Sequence, residues 1–392
     1  MVFNKVNFIS FNNLRAQNEP LAHKYLQAFS RVIDSGNYIS NKEVKEFEEN
    51  LSRFLCPRNL HETKVDTDLK AIGCSNGTSA IEISLRALKL DSDAEVLVPA
   101  ITFVATIEAV LSAGLKPVLI DIDEKTWTMD CTKLEDNITK NTKVILPVNL
   151  HGRMANLVKI WEIADKYKLT VIEDSAQAFN AKVNNISAGA TNSKASTFSF
   201  YPGKNLGALG EAGAITTFDQ DFYDLCMRIR NWGIDPSKDR YNHEIRGNNF
   251  RMDEIQGAIL NIKLGEINEW TNKRIALGLR YMENLDDCPT LELPYFNQKN
   301  EVHVFHIFNI IVPPSKRDIL RKKMLELGIE TGMHYPRAIH ENRAYEKLGI
   351  GKTLVNSEKF AKSCLSLPIN EHMSVENIDQ VSENVLRLLR TI

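Results

Sequence analysis

Val171-Ile172-Glu173-Asp174-Ser175-Ala176-Gln177 is a short apolar run that ends abruptly in two acids. Its β-branched start predicts a buried strand, with Asp174 at the carboxyl end. Similar apolar runs stand at Val96–Val98, Val118–Ile120, Val144–Pro147, Thr197–Phe200 and Ala214–Thr217. Helix-like segments, Ala80–Leu88 and Leu157–Lys168, separate the earlier ones. Continuous buried strands alternating with helices predict an α/β fold with a mostly parallel sheet. In such sheets polar side chains gather in the crevice beyond the strands' carboxyl ends. On the N-terminal side, Val44, Phe47, Leu51 and Phe54 share one helical face behind Ser40-Asn41 as a cap. Pro57 to Lys70 reads as a loop. Beyond a connection at Pro289–Gln298 come a strand at Phe305–Val312, a helix at Arg317–Leu327 and a strand near Thr331–His334. An amphipathic helix closes the chain, capped by Ser374 and lined by Ile378, Val381, Val385 and Leu388. The expected division is an N-terminal segment and large domain over 1–288, then a small α+β domain over 289–392.

Composition removes several classes of function. The 392 residues are 43% hydrophobic and 25% charged, enough for a core without disulfides or structural metal. A formal charge of −2 carries no basic surplus for nucleic acid. The six cysteines, at 56, 74, 131, 226, 288 and 364, include no C-x-x-C pair, so no metal centre is expected. Neither a G-x-G-x-x-G nor a G-x-x-x-x-G-K-[ST] occurs. The N-terminus lacks a long apolar stretch, and no run approaches the ~18 apolar residues of a membrane span. The expectation is a cytoplasmic protein with reduced thiols and no membrane partner.

Four segments at strand ends or helix starts carry candidate chemistry. Asn76-Gly77-Thr78-Ser79 opens a helix, where free amides and a partial positive charge suit a phosphate; a plain capped helix is the other reading. Phe103 is either a core aromatic or a face for a planar ring. Asp174 is either a helix cap or the partner of a protonated ring nitrogen. Ser199-Phe200-Tyr201-Pro202-Gly203-Lys204-Asn205-Leu206-Gly207 sets a lysine in a tight turn after a strand. Most lysines are simply exposed. In chain order these give a phosphate cradle, an aromatic, an acid, and a lysine thirty positions after the acid. Pyridoxal phosphate needs those parts together, with Lys204 for the Schiff base and Asp174 on the ring nitrogen.

These segments resemble those of the DegT/StrS-type sugar aminotransferases, which have the fold-type I, aspartate aminotransferase-like architecture. The likeness extends over nearly the whole chain. Besides Asn76–Ala80, Glu173–Gln177 and Ser199–Gly207, it includes Pro99–Thr106, Gly247–Met252, His334-Tyr335-Pro336 and Ser366-Leu367-Pro368. It implies a seven-stranded, mostly parallel sheet sandwiched by helices. It implies pyridoxal phosphate, with Lys204 as the Schiff-base lysine and proton shuttle. Asp174 would sit on the pyridinium nitrogen, Gln177 near the phenolic oxygen, and Phe103 on the ring. Gly77, Thr78, Ser79 and Ser199 would hold the phosphate, and Asn249 would reach it from the other subunit of a homodimer. Glutamate would be the amino donor and a carbonyl sugar the acceptor, in amino-sugar biosynthesis for surface polysaccharide such as lipopolysaccharide. Family members that dehydrate their substrate carry His at the position of Lys204, so the lysine argues against that branch.

Departures leave the acceptor open. Val148-Asn149-Leu150-His151-Gly152-Arg153 stands where V-H-L-Y-G-Q is common, and Phe179-Asn180 where His-Gly is frequent. The loop from Pro57 to Lys70 is longer than usual. Arg153 could meet an acidic acceptor or form a surface pair. His151, Arg153, His334 and Tyr335 are the candidate substrate residues, and His303, His306 and His340 are further polar candidates. A nucleotide-linked keto-deoxysugar is the first acceptor considered, with an oxidised Kdo-type sugar acid as the alternative. A lyase, aldolase or decarboxylase outcome on the same fold, or a non-catalytic regulator, are the other readings.

Overall fold

In the computed structural model, residues 8–56, 68–235, 239 and 241–392 are described. Most of the expected loop, 57–67, therefore lies outside the described residues. Lys70 already begins the first strand.

The large sheet is built from β1 (Lys70–Cys74), β2 (Glu95–Pro99), β3 (Lys116–Ile120), β4 (Thr142–Ile145) and β5 (Thr170–Asp174). A small hairpin, β6 (Lys182–Val183) and β7 (Ile186–Ser187), interrupts it before β8 (Ala195–Ser199) and β9 (Gly213–Thr217). The seven-stranded order is β1-β9-β8-β5-β4-β2-β3. Only β9 runs against its neighbours, pairing antiparallel with β1 and β8. This is the mostly parallel sheet of a fold-type I architecture.

Helices cover both faces because alternate strand residues point opposite ways. On one face Val96, Val98, Val144 and Ile172 pack with Ile81 and Leu85 of α4 (Gly77–Ala87) and Ile107 and Val110 of α5 (Ala105–Ser112). On the other, Leu97, Ile145 and Val171 pack with Leu157, Ile160 and Ile163 of α7 (Leu157–Tyr167). Before the sheet lie α1 (Leu14–Asn18), α2 (Ala22–Ser35) and α3 (Lys42–Leu55), while α6 (Leu134–Asn137) precedes β4. In α3, Val44, Phe47 and Leu51 are buried as the periodicity predicts, against Phe198 and Phe200. Its cap differs from expectation. Asn41 makes no side-chain cap. The Glu254 carboxylate instead accepts the amides of Asn41, Glu43 (2.8 Å) and Val44 (3.2 Å). Local spacing cannot reveal a cap supplied from so far along the chain.

After β9 come α8 (Gln220–Arg230), α9 (Glu254–Leu264) and the long α10 (Ile267–Leu285). A second core joins Leu277, Tyr281 and Leu285 of α10 to Phe308 and Ile310 of one strand and Leu365 and Leu367 of another. After the short β10 (Glu301–Val302), those strands are β11 (Phe308–Ile311) and β12 (Cys364–Leu367), an antiparallel pair. Helices α11 (Pro314–Glu326), α12 (Val355–Ser363) and α13 (Val375–Thr391) complete this part. Ser374 caps α13 and its expected apolar face is buried. The strand expected near Thr331–His334 reduces to one bridge, Gly332 to Ser366, because Cys364–Leu367 takes the place beside β11.

Gly213 determines how the sheet meets α4. It pairs with Cys74 on one side and Ser199 on the other. A Cβ there would lie 2.4 Å from the Asn76 carbonyl and 2.8 Å from the Gly77 amide nitrogen. Gly213→Ala is expected to cost about 1–3 kcal/mol through this overpacking. Denaturant unfolding checks it; an unchanged midpoint would show that α4 yields without strain.

Candidate active site

The site is assembled at the carboxyl edge of the sheet, beginning with α4. Asn76 and Ser79 cap each other: Asn76 Oδ1 accepts the Ser79 amide at 2.8 Å, and Ser79 Oγ accepts the Asn76 amide at 3.1 Å. Ser79 Oγ also lies 2.9 Å from Ser75 Oγ. Ser79, expected at the phosphate, is thus buried with its amide and hydroxyl committed to the cap. The cap leaves the amides of Gly77 and Thr78 without an acceptor among the described residues, at the positive end of the helix. Ser199 stands against this turn, since a Cβ on Gly77 would come within 2.7 Å of Ser199 Cβ. Gly77, Thr78 and Ser199 therefore lie together at a turn whose free amides would suit an anion.

Asp174 ends β5 and is buried. Its carboxylate accepts from Thr106 Oγ1 at 2.7 Å and from the Ala176 amide at 3.1 Å. Burial pushes its carboxyl above the usual range, while Thr106, the Ala176 amide and Lys204 pull it down. Thr106 lies within the Pro99–Thr106 segment, where its small hydroxyl carries no signal of its own in the sequence. Lys204 sits in the turn after β8, its amide donating to the Tyr201 carbonyl at 2.8 Å. Burial lowers its amine from 10.5 to about 8, and the Asp174 charge opposes that shift.

Phe103 is 54% exposed, which excludes the core reading. Its ring centroid is 5.9 Å from that of Tyr335. Gln177 joins the two sides of the site: its Oε1 accepts the His151 amide at 2.8 Å, and its Nε2 donates to the Tyr335 hydroxyl at 2.9 Å. His334 Nδ1 lies 2.8 Å from Ser366 Oγ, and burial followed by the Lys204 charge lowers its imidazole to about 4. Asn249 is exposed, with Arg251 Nε donating to its Oδ1 at 2.9 Å. It borders a cavity of about 290 Å³ with Ser75 and Glu211.

His151 and Arg153 are placed differently from expectation. The His151 ring is buried, stacked on Phe360, with Nε2 2.9 Å from the His334 carbonyl and 3.0 Å from Asn309 Nδ2. Burial lowers its imidazole to about 3, so it is neutral. Arg153 is neither open to an acceptor nor on the surface. It is buried, with Nη2 2.8 Å from Glu301 and Nη1 donating to the Tyr295 carbonyl. His303 is buried and accepts the Phe305 amide, and His306 Nδ1 lies 3.0 Å from Asn205 Oδ1. His340 pairs with Glu358 at 3.3 Å. Sequence reading missed Asn309, a single polar residue in the apolar run of β11, which also accepts from Ser366.

The family profile of the DegT/DnrJ/EryC1/StrS aminotransferases matches residues 20–386. The chain belongs to this family. A dTDP-3-amino-3,4,6-trideoxy-alpha-D-glucose transaminase of Streptomyces venezuelae is 35% identical over 96% of this chain and 96% of its own. The 3-oxo-glucose-6-phosphate:glutamate aminotransferase of Bacillus subtilis is 32% identical, over 98% of this chain and 84% of its own. The crystal structure of ntda from Bacillus subtilis with bound pmp superposes with TM-score 0.89 at 29% identity, covering 100% of this chain and 87% of that one. This aminotransferase is pyridoxal-phosphate-dependent. Its residues fit that group: the two free amides beside Ser199 suit a phosphate, and a buried amine, Lys204, lies within reach of the charge of a buried carboxylate, Asp174.

The lowered amine has a direct test. Below about pH 8 Lys204 is mostly protonated and cannot attack a carbonyl. The rate at which the apo-protein acquires visible absorbance with pyridoxal phosphate should rise roughly tenfold per pH unit and level off above that point. Asp174→Asn removes the charge that holds the proton on Lys204, so its midpoint should fall. A midpoint near 10.5 in the wild type would refute the desolvated amine.

Proposed function

We propose that the chain transfers an amino group from glutamate to the carbonyl of a nucleotide-linked keto-deoxysugar, in amino-sugar biosynthesis for surface polysaccharide such as lipopolysaccharide. The observation that carries the reaction is a buried Lys204 amine within reach of the Asp174 charge, with the free amides of the Gly77 turn against Ser199. The acceptor class is supported by relatives named for sugar substrates, and the donor by the relative whose name includes glutamate. The sugar-acid alternative loses its main support, because Arg153 is already paired with Glu301. The setting proposed is the cytoplasm, in keeping with six unpaired cysteines.

Bound pyridoxal phosphate supplies an electron sink for the carbon that loses its proton. The amides of Gly77 and Thr78, with the Ser199 hydroxyl, bind the phosphate. Asp174 holds a proton on the ring nitrogen; the positive charge there opposes the effect of burial and keeps the carboxylate ionised. Thr106 orients that carboxylate. Phe103 covers one face of the ring, and Gln177 stands at the edge with Tyr335. Lys204, neutral above about pH 8, accepts the proton from the donor carbon and returns one to the carbon that was the carbonyl. Asn249, exposed on its loop, is proposed to reach the phosphate of a second copy, so that the working unit is a homodimer with shared sites. Exposed Tyr201 and Leu209 near the lysine turn are in keeping with a covering copy. We also propose residues 1–288 and 289–392 as the large and small domains.

The visible spectrum tests this reading. The holoenzyme band should bleach with excess glutamate and return with a keto sugar. Lys204→Ala should lose roughly 10²- to 10⁴-fold in the bleaching rate, the usual contribution of a positioned proton-transfer group. Asp174→Asn should bind cofactor and still bleach slowly. A protein that stays colourless with pyridoxal phosphate would overturn the proposal.

A further inference from the structure

The N-terminal segment brings two side chains to the site that no motif marks. Ile9 is buried and bridges Ile329 in parallel, its amide donating to the Gly328 carbonyl at 2.8 Å. Two residues on, the Phe11 amide donates to Glu330 Oε2 at 2.8 Å. The Phe11 ring stacks on His334 with centroids 5.4 Å apart. Gly332 makes this contact possible, since a Cβ there would lie 2.8 Å from His334 Cε1 and 3.2 Å from the Phe11 ring.

Asn12 then reaches the opposite wall. Its Nδ2 lies 3.2 Å from where a Cβ on Gly203 would be, and Gly203 immediately precedes Lys204. Its amide has no hydrogen-bond partner among the described residues. Asn13 anchors the far end by capping α1, its Oδ1 accepting the Ala16 amide at 3.1 Å. The segment is therefore a strap tied at both ends, running from His334 to the lysine turn. A row of aromatic rings leads out to it: Phe103 to Tyr335 at 5.9 Å, Tyr335 to His334 at 5.6 Å, and His334 to Phe11.

We infer that Phe11 and Asn12 form part of the subsite for the acceptor sugar, Phe11 against the C–H face of the pyranose and Asn12 on a sugar hydroxyl. This rests on the proposed reaction and deepens it. A sugar nucleotide extends well beyond its reacting carbon and meets such an outer layer, whereas glutamate is short and is held close to Lys204. An aromatic ring with an unpaired amide beside it matches the mixed apolar and polar character of a sugar.

The two half-reactions separate this role from general support of the fold. Holoenzyme, Phe11→Ala, Asn12→Ala and the control Asn13→Ala would be assayed by stopped-flow absorbance. Bleaching by glutamate reads one half. Return of the band with a dTDP-linked keto-deoxyglucose, or with a UDP-linked keto-N-acetylglucosamine, reads the other. Phe11→Ala and Asn12→Ala should lose roughly 10- to 100-fold in kcat/KM for the sugar half, mostly in KM, with a much smaller change in the glutamate half. Asn13→Ala should show no such split. Equal losses in both halves, or an unchanged sugar half, would overturn the inference while leaving the aminotransferase reading intact. A wild type that reacts with glutamate and with neither sugar nucleotide would overturn this inference and the nucleotide-linked acceptor together. Failure of the wild type to bleach with glutamate would overturn the proposed function itself.

Discussion

A lysine amine kept out of water, with one carboxylate opposite, is the constraint on which the rest of this structure depends. Desolvation alone drives the amine toward its neutral form, and the charge of Asp174 limits how far it goes. Both groups must leave the sheet at the same edge. Parallel pairing of β5 with β8 ensures this, because Asp174 is in register with Thr197, two residues before the end of β8. Antiparallel β9 then sets Gly213 between Cys74 and Ser199, so that the first turn of α4 rests on bare backbone. Cradle, acid and lysine thus follow from strand order and register.

Those same register relations explain what was legible in the sequence. Asp174, Lys204 and the Gly77 turn each lie at a strand end or helix start, where residue type departs visibly from its surroundings. The apolar runs located the strands, although the expected strand near Thr331–His334 yielded its place to Cys364–Leu367. Ser79 shows a limit of this reading. A serine in the first turn of a helix can bind an anion or close a capping box, and only the pairing with Asn76 and Ser75 decides between them. Glu254 shows another, since its partners at Asn41, Glu43 and Val44 are tertiary neighbours with no local signature.

His151 and Arg153 fail as free substrate contacts for a common physical reason. Buried polar groups are costly unless paired, so a buried network tends to consume the donors that sequence reading assigns to ligands. His151, Asn309, His334 and Ser366 form one such network behind the site. Its neutral imidazoles add no charge near Lys204, and their packing fixes the backbone that carries Tyr335. The Arg153–Glu301 pair, buried on the arginine side and half-buried at the glutamate, is a separate unit that holds the His151–Arg153 turn against the segment around Tyr295. These side chains therefore act on the reaction through position.

This division bears on how acceptor choice can vary while the chemistry stays constant. Lys204, Asp174 and the cradle hang on the central sheet, where any change propagates through register. Phe11 and Asn12 hang on a strap fastened by Ile9, by Glu330 and by the cap at Asn13, with Phe11 stacked on His334. A substitution on the strap alters the outer wall of the site without displacing the amine or the carboxylate. Acceptor preference built there would be free to diverge among chains that keep the same reaction. The strap carries no catalytic residue type and no unusual spacing, so its role comes into view only when its path past His334 and Gly203 is traced.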